Sequence, residues 1–156
     1  MKRGKRVGLL VLLLSMFFML NSIQTASAAI DWLDISINHA FYYDLDEDLT
    51  EDDILIDLTF EVRFGFKSPS TSDYVITLTL PSGLQYVLLL TVIGKYRVLD
   101  LTMLWYDTAT ESGWYNLRVD AYAYYGYSTG YSTANYNFDP PTGGSGGEPH
   151  VEIWVW

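Results

Sequence analysis

The chain has 156 residues, no cysteine, and nineteen acidic against nine basic residues, for a formal net charge of −10. That length holds one hydrophobic core, and the missing thiol excludes disulfides, thiolate metal sites and a cysteine nucleophile. The acidity argues against nucleic acid and anionic lipid surfaces as partners.

The first segment has the order of a secretory signal: basic start, apolar middle, small-residue exit. Lys2, Arg3, Lys5 and Arg6 are the start. Val7 to Leu20 carries no charge over about 14 residues, where a bilayer span takes roughly 20. Ala26-Ser27-Ala28 offers the small residues a signal peptidase needs. A signal peptide over 1–28 is expected, cut after Ala28 or Ala29, with an uncleaved anchor as the alternative. The product is then secreted, extracellular or held at the cell surface, with no membrane contact after cleavage. It keeps five basic and all nineteen acidic residues, a net charge of −14. Divalent cations and neutral or basic partners suit such a field, although acidity also serves solubility alone.

Period-two alternation dominates the rest. Asp31 to Asn38 opens with Leu33, Ile35 and Ile37 on one face. Ile54 to Phe64 sets Ile54, Ile56, Leu58, Phe60, Val62 and Phe64 against Asp57, Thr59, Glu61 and Arg63. Tyr74 to Leu80 alternates likewise and stops at Pro81-Ser82-Gly83. Gln85 to Ile93 is almost continuously apolar, as in a strand covered on both sides. Tyr96 to Trp105 keeps no strict phase, which predicts a bulge or register change. Trp114 to Tyr124 alternates cleanly, and Tyr131 to Asp139 closes the set. About seven short strands without an amphipathic helix predict an all-β antiparallel sandwich over 29–139, a small barrel being the competitor.

Residues 140–149, from Pro140 to Pro149, read as a Pro/Gly-rich linker. His150 to Trp156 returns to strand pattern, with Val151, Ile153 and Val155 alternating against Glu152, Trp154 and Trp156. Such a short strand is not stable alone. It either returns to an edge of its own sandwich or joins a neighbour, which makes Val151, Ile153, Trp154, Val155 and Trp156 candidate assembly residues.

The strand layout resembles immunoglobulin-like surface modules of the fibronectin type III and PKD kind. The local match is Ser112-Gly113-Trp114-Tyr115 leading into Leu117 and Val119. It implies that Tyr115 ties down the preceding corner through its hydroxyl, ahead of Trp114 as candidate. The stretch from Asp44 to Asp53 resembles the aspartate-rich calcium loops of dockerin and thrombospondin type 3 repeats. That likeness implies Asp44, Asp46 and Asp48 as Ca2+ ligands, with Asp52 completing the shell and Asp53 able to substitute. Leu49 stands where those loops usually have glycine, which points to a weak site. A plain solvated acidic loop is the competing account.

Few residues suit catalysis. The two histidines fall beside the first loop (His39) and in the tail (His150), and no serine stands in a Gly-x-Ser-x-Gly elbow. A non-enzymatic protein is expected. Thirteen tyrosines and five tryptophans exceed what one small core absorbs. Tyr122 and Tyr124 lie on the outward phase of their strand, and Tyr125, Tyr127, Tyr131 and Tyr136 flank the Gly126–Gly130 turn. These rings form either a stacking platform or cross-strand pairs that stiffen one sheet. Two functions follow. One is a structural or adhesive component that meets a protein partner, or itself, through the C-terminal strand. The other is a polysaccharide-binding module that uses Tyr122, Tyr124, Tyr125, Tyr127 and Tyr131, with Ca2+ as a possible helper.

Overall fold

The computed structural model describes residues 31–126, 128–139 and 147–156, with the backbone alone at Tyr125 and Ser128. The expected signal peptide, Tyr127, the Tyr125 side chain and linker residues 140–146 lie outside the described residues. Eight strands follow: β1 (Leu33–Tyr43), β2 (Asp53–Val62), β3 (Thr71–Thr79), β4 (Gln85–Ile93), β5 (Val98–Tyr106), β6 (Tyr115–Tyr125), β7 (Ser128–Phe138) and β8 (His150–Val155). No helix occurs among the described residues.

Two antiparallel four-stranded sheets result, ordered β1-β2-β5-β8 and β4-β3-β6-β7. The chain is thus an all-β sandwich. The alternation explains it: Ile54, Ile56, Leu58, Phe60 and Val62 of β2 face Tyr74, Ile76 and Leu78 of β3 and Tyr115, Leu117 and Val119 of β6 in a single core. Phe60 and Tyr74 meet across the layers, with ring centroids 4.3 Å apart. The seam between β1 and β7 is closed by Ser132 Oγ, which accepts from Leu33 N at 3.2 Å and donates to Leu33 O at 2.6 Å. Tyr115 makes the corner contact implied for it. Its hydroxyl accepts from Glu111 N and donates to Glu111 O, while Trp114 stays exposed.

Three expectations are corrected. β4, expected to be covered on both sides, is an edge strand; Val87, Leu89 and Ile93 are 54, 63 and 83 % exposed. A hydrophobic run cannot tell a central strand from an edge strand whose outer face is also apolar. β5 has no bulge: its register with β2 is unbroken from Ile54↔Trp105 to Glu61↔Val98, and Leu99, Leu101, Met103 and Trp105 face inward. The irregularity lies instead in β1, between Ile37 and His39, and lets β1 run on to Tyr43 rather than stop at Asn38. The extra residue switches the inward phase from Ile37 to Ala40.

Candidate divalent-cation site

One end of the first sheet gathers Tyr43, Asp53, Tyr106 and His150 in a row, through the pairs Tyr43↔Asp53 and Tyr106↔His150 at the ends of their ladders. The β1–β2 loop folds over this end. Its carboxylates organise it locally: Asp44 Oδ2 accepts from Leu49 N at 3.1 Å, Asp46 Oδ1 from Asp48 N at 3.2 Å, and Asp48 Oδ1 from Thr50 N at 2.8 Å. Short aspartate side chains favour such turns by bonding the backbone two residues on. Leu49 adopts φ 76° and Glu47 φ 63°, so the chain makes left-handed turns here without glycine, at a steric cost.

The acidic residues form two adjoining groups. Asp44, Asp46 and Asp48 bring one ligand atom each within 4.8 Å of one another, and so do Asp52, Asp53 and Asp107. The first group is the partly exposed one anticipated from the sequence. The second is buried, with Asp52 and Asp53 at 0 % exposure and Asp107 at 5 %. The two feel each other: the Asp46 carboxyl is raised by desolvation and by the charges of Asp48, Asp53 and Asp107.

Asp53 is the structural bracket. Its Oδ2 accepts from Leu45 N at 2.6 Å and Asp46 N at 3.3 Å, and its Oδ1 accepts from Asp107 N at 2.8 Å. Asp53 therefore joins the β1–β2 loop to the end of β5. The Asp52 carbonyl accepts from Thr108 N and Ala109 N at 2.9 and 2.7 Å, which folds the segment after β5 against it. The Asp52 side chain is different. Both its carboxylate oxygens are buried and accept no hydrogen bond among the described residues, and Asp44 Oδ1 is in the same position. Burial, then the charges of Asp53, Asp107 and Asp48, push the Asp52 carboxyl up to about 6.

Buried carboxylates without donors are costly unless a counter-charge meets them. A divalent cation fits this set. Calcium takes carboxylate and carbonyl oxygens at about 2.3–2.6 Å, so ligand atoms on one ion lie no more than about 5 Å apart. Asp52, Asp53 and Asp107 are one set of oxygens close enough to share a cation, and Asp44, Asp46 and Asp48 are a second, separate set. Asp107 was not among the residues expected from sequence. It lies 54 positions from Asp53, and a single aspartate at the end of a strand carries no local signal.

The tyrosine face lies elsewhere. Tyr122 and Tyr124 point outward from β6, Tyr122 pairs with Tyr131 across the ladder at 5.1 Å between centroids, and Tyr131 Oη donates to Asp120 Oδ1 at 2.6 Å. Burial works to raise the Asp120 carboxyl, but hydrogen bonds from Arg118, Tyr131 and Thr133 outweigh it and hold the carboxyl low. A shallow concavity of about 410 Å³ is lined by Asp73, Val75, Leu89, Thr91, Tyr122 and Tyr124. Tyr136 does not belong to this patch: it sits opposite Leu117, near the other end of β7. The concavity is at the β3 start, Thr71↔Tyr124, and the aspartates are at the β2 start, so the two occupy opposite ends of the sandwich.

The C-terminal segment pairs in cis. β8 lies antiparallel to β5 from Leu101↔Val155 to Tyr106↔His150, with Val151 and Ile153 half-buried toward the core. Trp154, Val155 and Trp156 remain exposed, and the rings of Trp154 and Trp156 lie 6.1 Å apart. No protein-family model, no curated protein and no solved structure matches the chain.

Proposed function

We propose that this chain is an exported, non-catalytic, immunoglobulin-like module that binds Ca2+ and acts as a structural or adhesive component outside the cell. The observation that carries the cation reading is Asp52, wholly buried beside Asp53 and Asp107 with both carboxylate oxygens unpartnered among the described residues. The immunoglobulin-like reading is supported by strand order: the first three strands of one sheet, β1-β2-β5, face β4-β3-β6-β7, and Tyr115 is tied to its corner at the head of β6. The basic, apolar and small-residue sequence at the N-terminus supports export. β8 supports the assembly role, because every copy carries both a tethered strand and the β5 edge that accepts it.

Titration calorimetry of the EDTA-stripped protein with CaCl2 and MgCl2 tests the site. Saturable heat with Ca2+, weakened at least tenfold by Asp52→Asn, is the expected result. No heat and no thermal shift with Ca2+ overturns the reading.

A second reading, polysaccharide binding, is favoured by the concavity under Tyr122 and Tyr124, whose rings suit stacking on sugars. Its distance from the aspartates makes such binding independent of calcium. Retardation on polysaccharide gels that is lost with Tyr124→Ala and unchanged by EDTA would favour it.

A further inference from the structure

Asp107 serves two masters. It is one of the three buried carboxylates, and its Oδ1 also accepts the Gly147 amide at 2.6 Å. Gly147 stands three residues before β8, and His150, the first residue of β8, stacks on Tyr106 with centroids 4.5 Å apart and planes at 12°. The entry to β8 is therefore fastened to the residue that closes the aspartate cluster. A Cβ at Gly147 would lie 2.9 Å from Asp107 Oδ2, so the approach is as close as the chain permits.

Elsewhere β8 is weakly held. It is six residues long, pairs among the described residues with β5 alone, and packs only Val151 and Ile153 against the core. Short edge strands with few buried side chains open at low free-energy cost. Asp107 itself holds φ 54°, a backbone conformation that non-glycine residues keep only when neighbours enforce it. Here the enforcing contacts are Asp53 Oδ1 on the Asp107 amide and Asp107 Oδ1 on the Gly147 amide. Without a counter-charge, Asp52, Asp53 and Asp107 repel one another at close range and in poor solvent contact.

We propose that the cation clamps the C-terminal strand. With Ca2+ bound, Asp107 is fixed, Gly147 is held and β8 stays on its own β5. With the site emptied, the Asp107 anchor loosens and β8 undocks, leaving the β5 edge open to a second copy. This rests on the aspartate cluster being a calcium site.

Hydrogen exchange read by mass spectrometry on the whole exported protein, in CaCl2 and in EDTA at one pH, tests the clamp, with calorimetry run on the same preparation. Amides of β8 and of the β5 residues paired with it are expected to exchange at least tenfold faster in EDTA, while β3 and β6 amides change far less. Gly147→Pro removes the anchoring amide. Its Cβ also crowds Asp107 Oδ2, so Ca2+ affinity should fall, and at saturating CaCl2 its β8 should still exchange as fast as in EDTA. Calcium binding with β8 exchange equal in both buffers overturns the clamp and leaves the site standing. Exchange that rises equally in β8 and in the core also overturns it. Absence of binding overturns the site and the clamp together.

Discussion

The Tyr115 hydroxyl is bonded twice to one residue, accepting the Glu111 amide at 2.9 Å and donating to the Glu111 carbonyl at 3.0 Å. The ring is fully buried against Phe138, with centroids 5.8 Å apart, so the tyrosine fastens the β5–β6 connection to the core. Tyr115→Phe keeps the ring and strands both backbone groups. A loss of about 1–2 kcal/mol is expected by urea unfolding; an unchanged midpoint would show that the corner carries no stability.

Replacing Asp52 separates charge from fold. Asp52→Asn removes one of three clustered buried charges, so in EDTA at neutral pH the variant should be at least as stable as the parent. In calcium the parent gains more from mass action, about 2.7 kcal/mol at a hundredfold excess over its Kd against about 1.4 kcal/mol for a variant that binds tenfold more weakly. Thermal melts of both proteins in both buffers give the answer, and a variant that gains as much from calcium as the parent refutes the role of Asp52.

The pH response of the metal-free protein has a definite sign. Asp52 is raised from 3.8 to about 6 in the fold, so the folded state holds that proton more tightly than the unfolded chain. Its contribution to stability is complete below the unfolded value and is lost as pH rises through about 6. In EDTA the melting temperature should therefore rise when pH falls from 7 to 5. Asp52→Asn should lack this rise, and saturating calcium at pH 7 should raise the parent's melting temperature.

Gly130 lies where β7 crosses Trp32. A Cβ there would stand 2.4 Å from Trp32 Cβ and 2.5 Å from its Cε3, and Trp32 is itself buried. Gly130→Ala must push the indole or the strand aside, at about 1–3 kcal/mol. Chemical denaturation measures this, and a neutral result would mean that the β1–β7 seam yields freely.

The outer face of β4 is an unprotected edge. Leu89→Lys places a charge where the side chain is already 63 % exposed. The melting temperature should change little while aggregation on heating falls, since charged edge residues block strand-to-strand pairing. Static light scattering during a thermal ramp reads it, and equal aggregation would move the vulnerable edge elsewhere.

What the sequence determined by itself is the strand content and the facing of the strictly alternating strands β2, β3 and β6. Ile54 to Val62 and Tyr115 to Ala123 alternate so strictly that one face can only be core, and Tyr115 announced its corner through the Gly-Trp-Tyr that opens its strand. The aspartates of residues 44–53 were legible as a cluster because they are adjacent in the chain. Tertiary structure alone decided which strand has which neighbour. Period two fixes a face but says nothing about lateral partners, so Gln85 to Ile93 reads as central although it forms an edge. For the same reason the candidate cation site could not be completed from sequence: Asp107 reaches Asp52 and Asp53 only because β5 pairs with β2, and Gly147 reaches Asp107 only because β8 pairs with β5. Those pairings are set by how all the apolar faces pack into one core, a property of the whole chain that no local pattern carries.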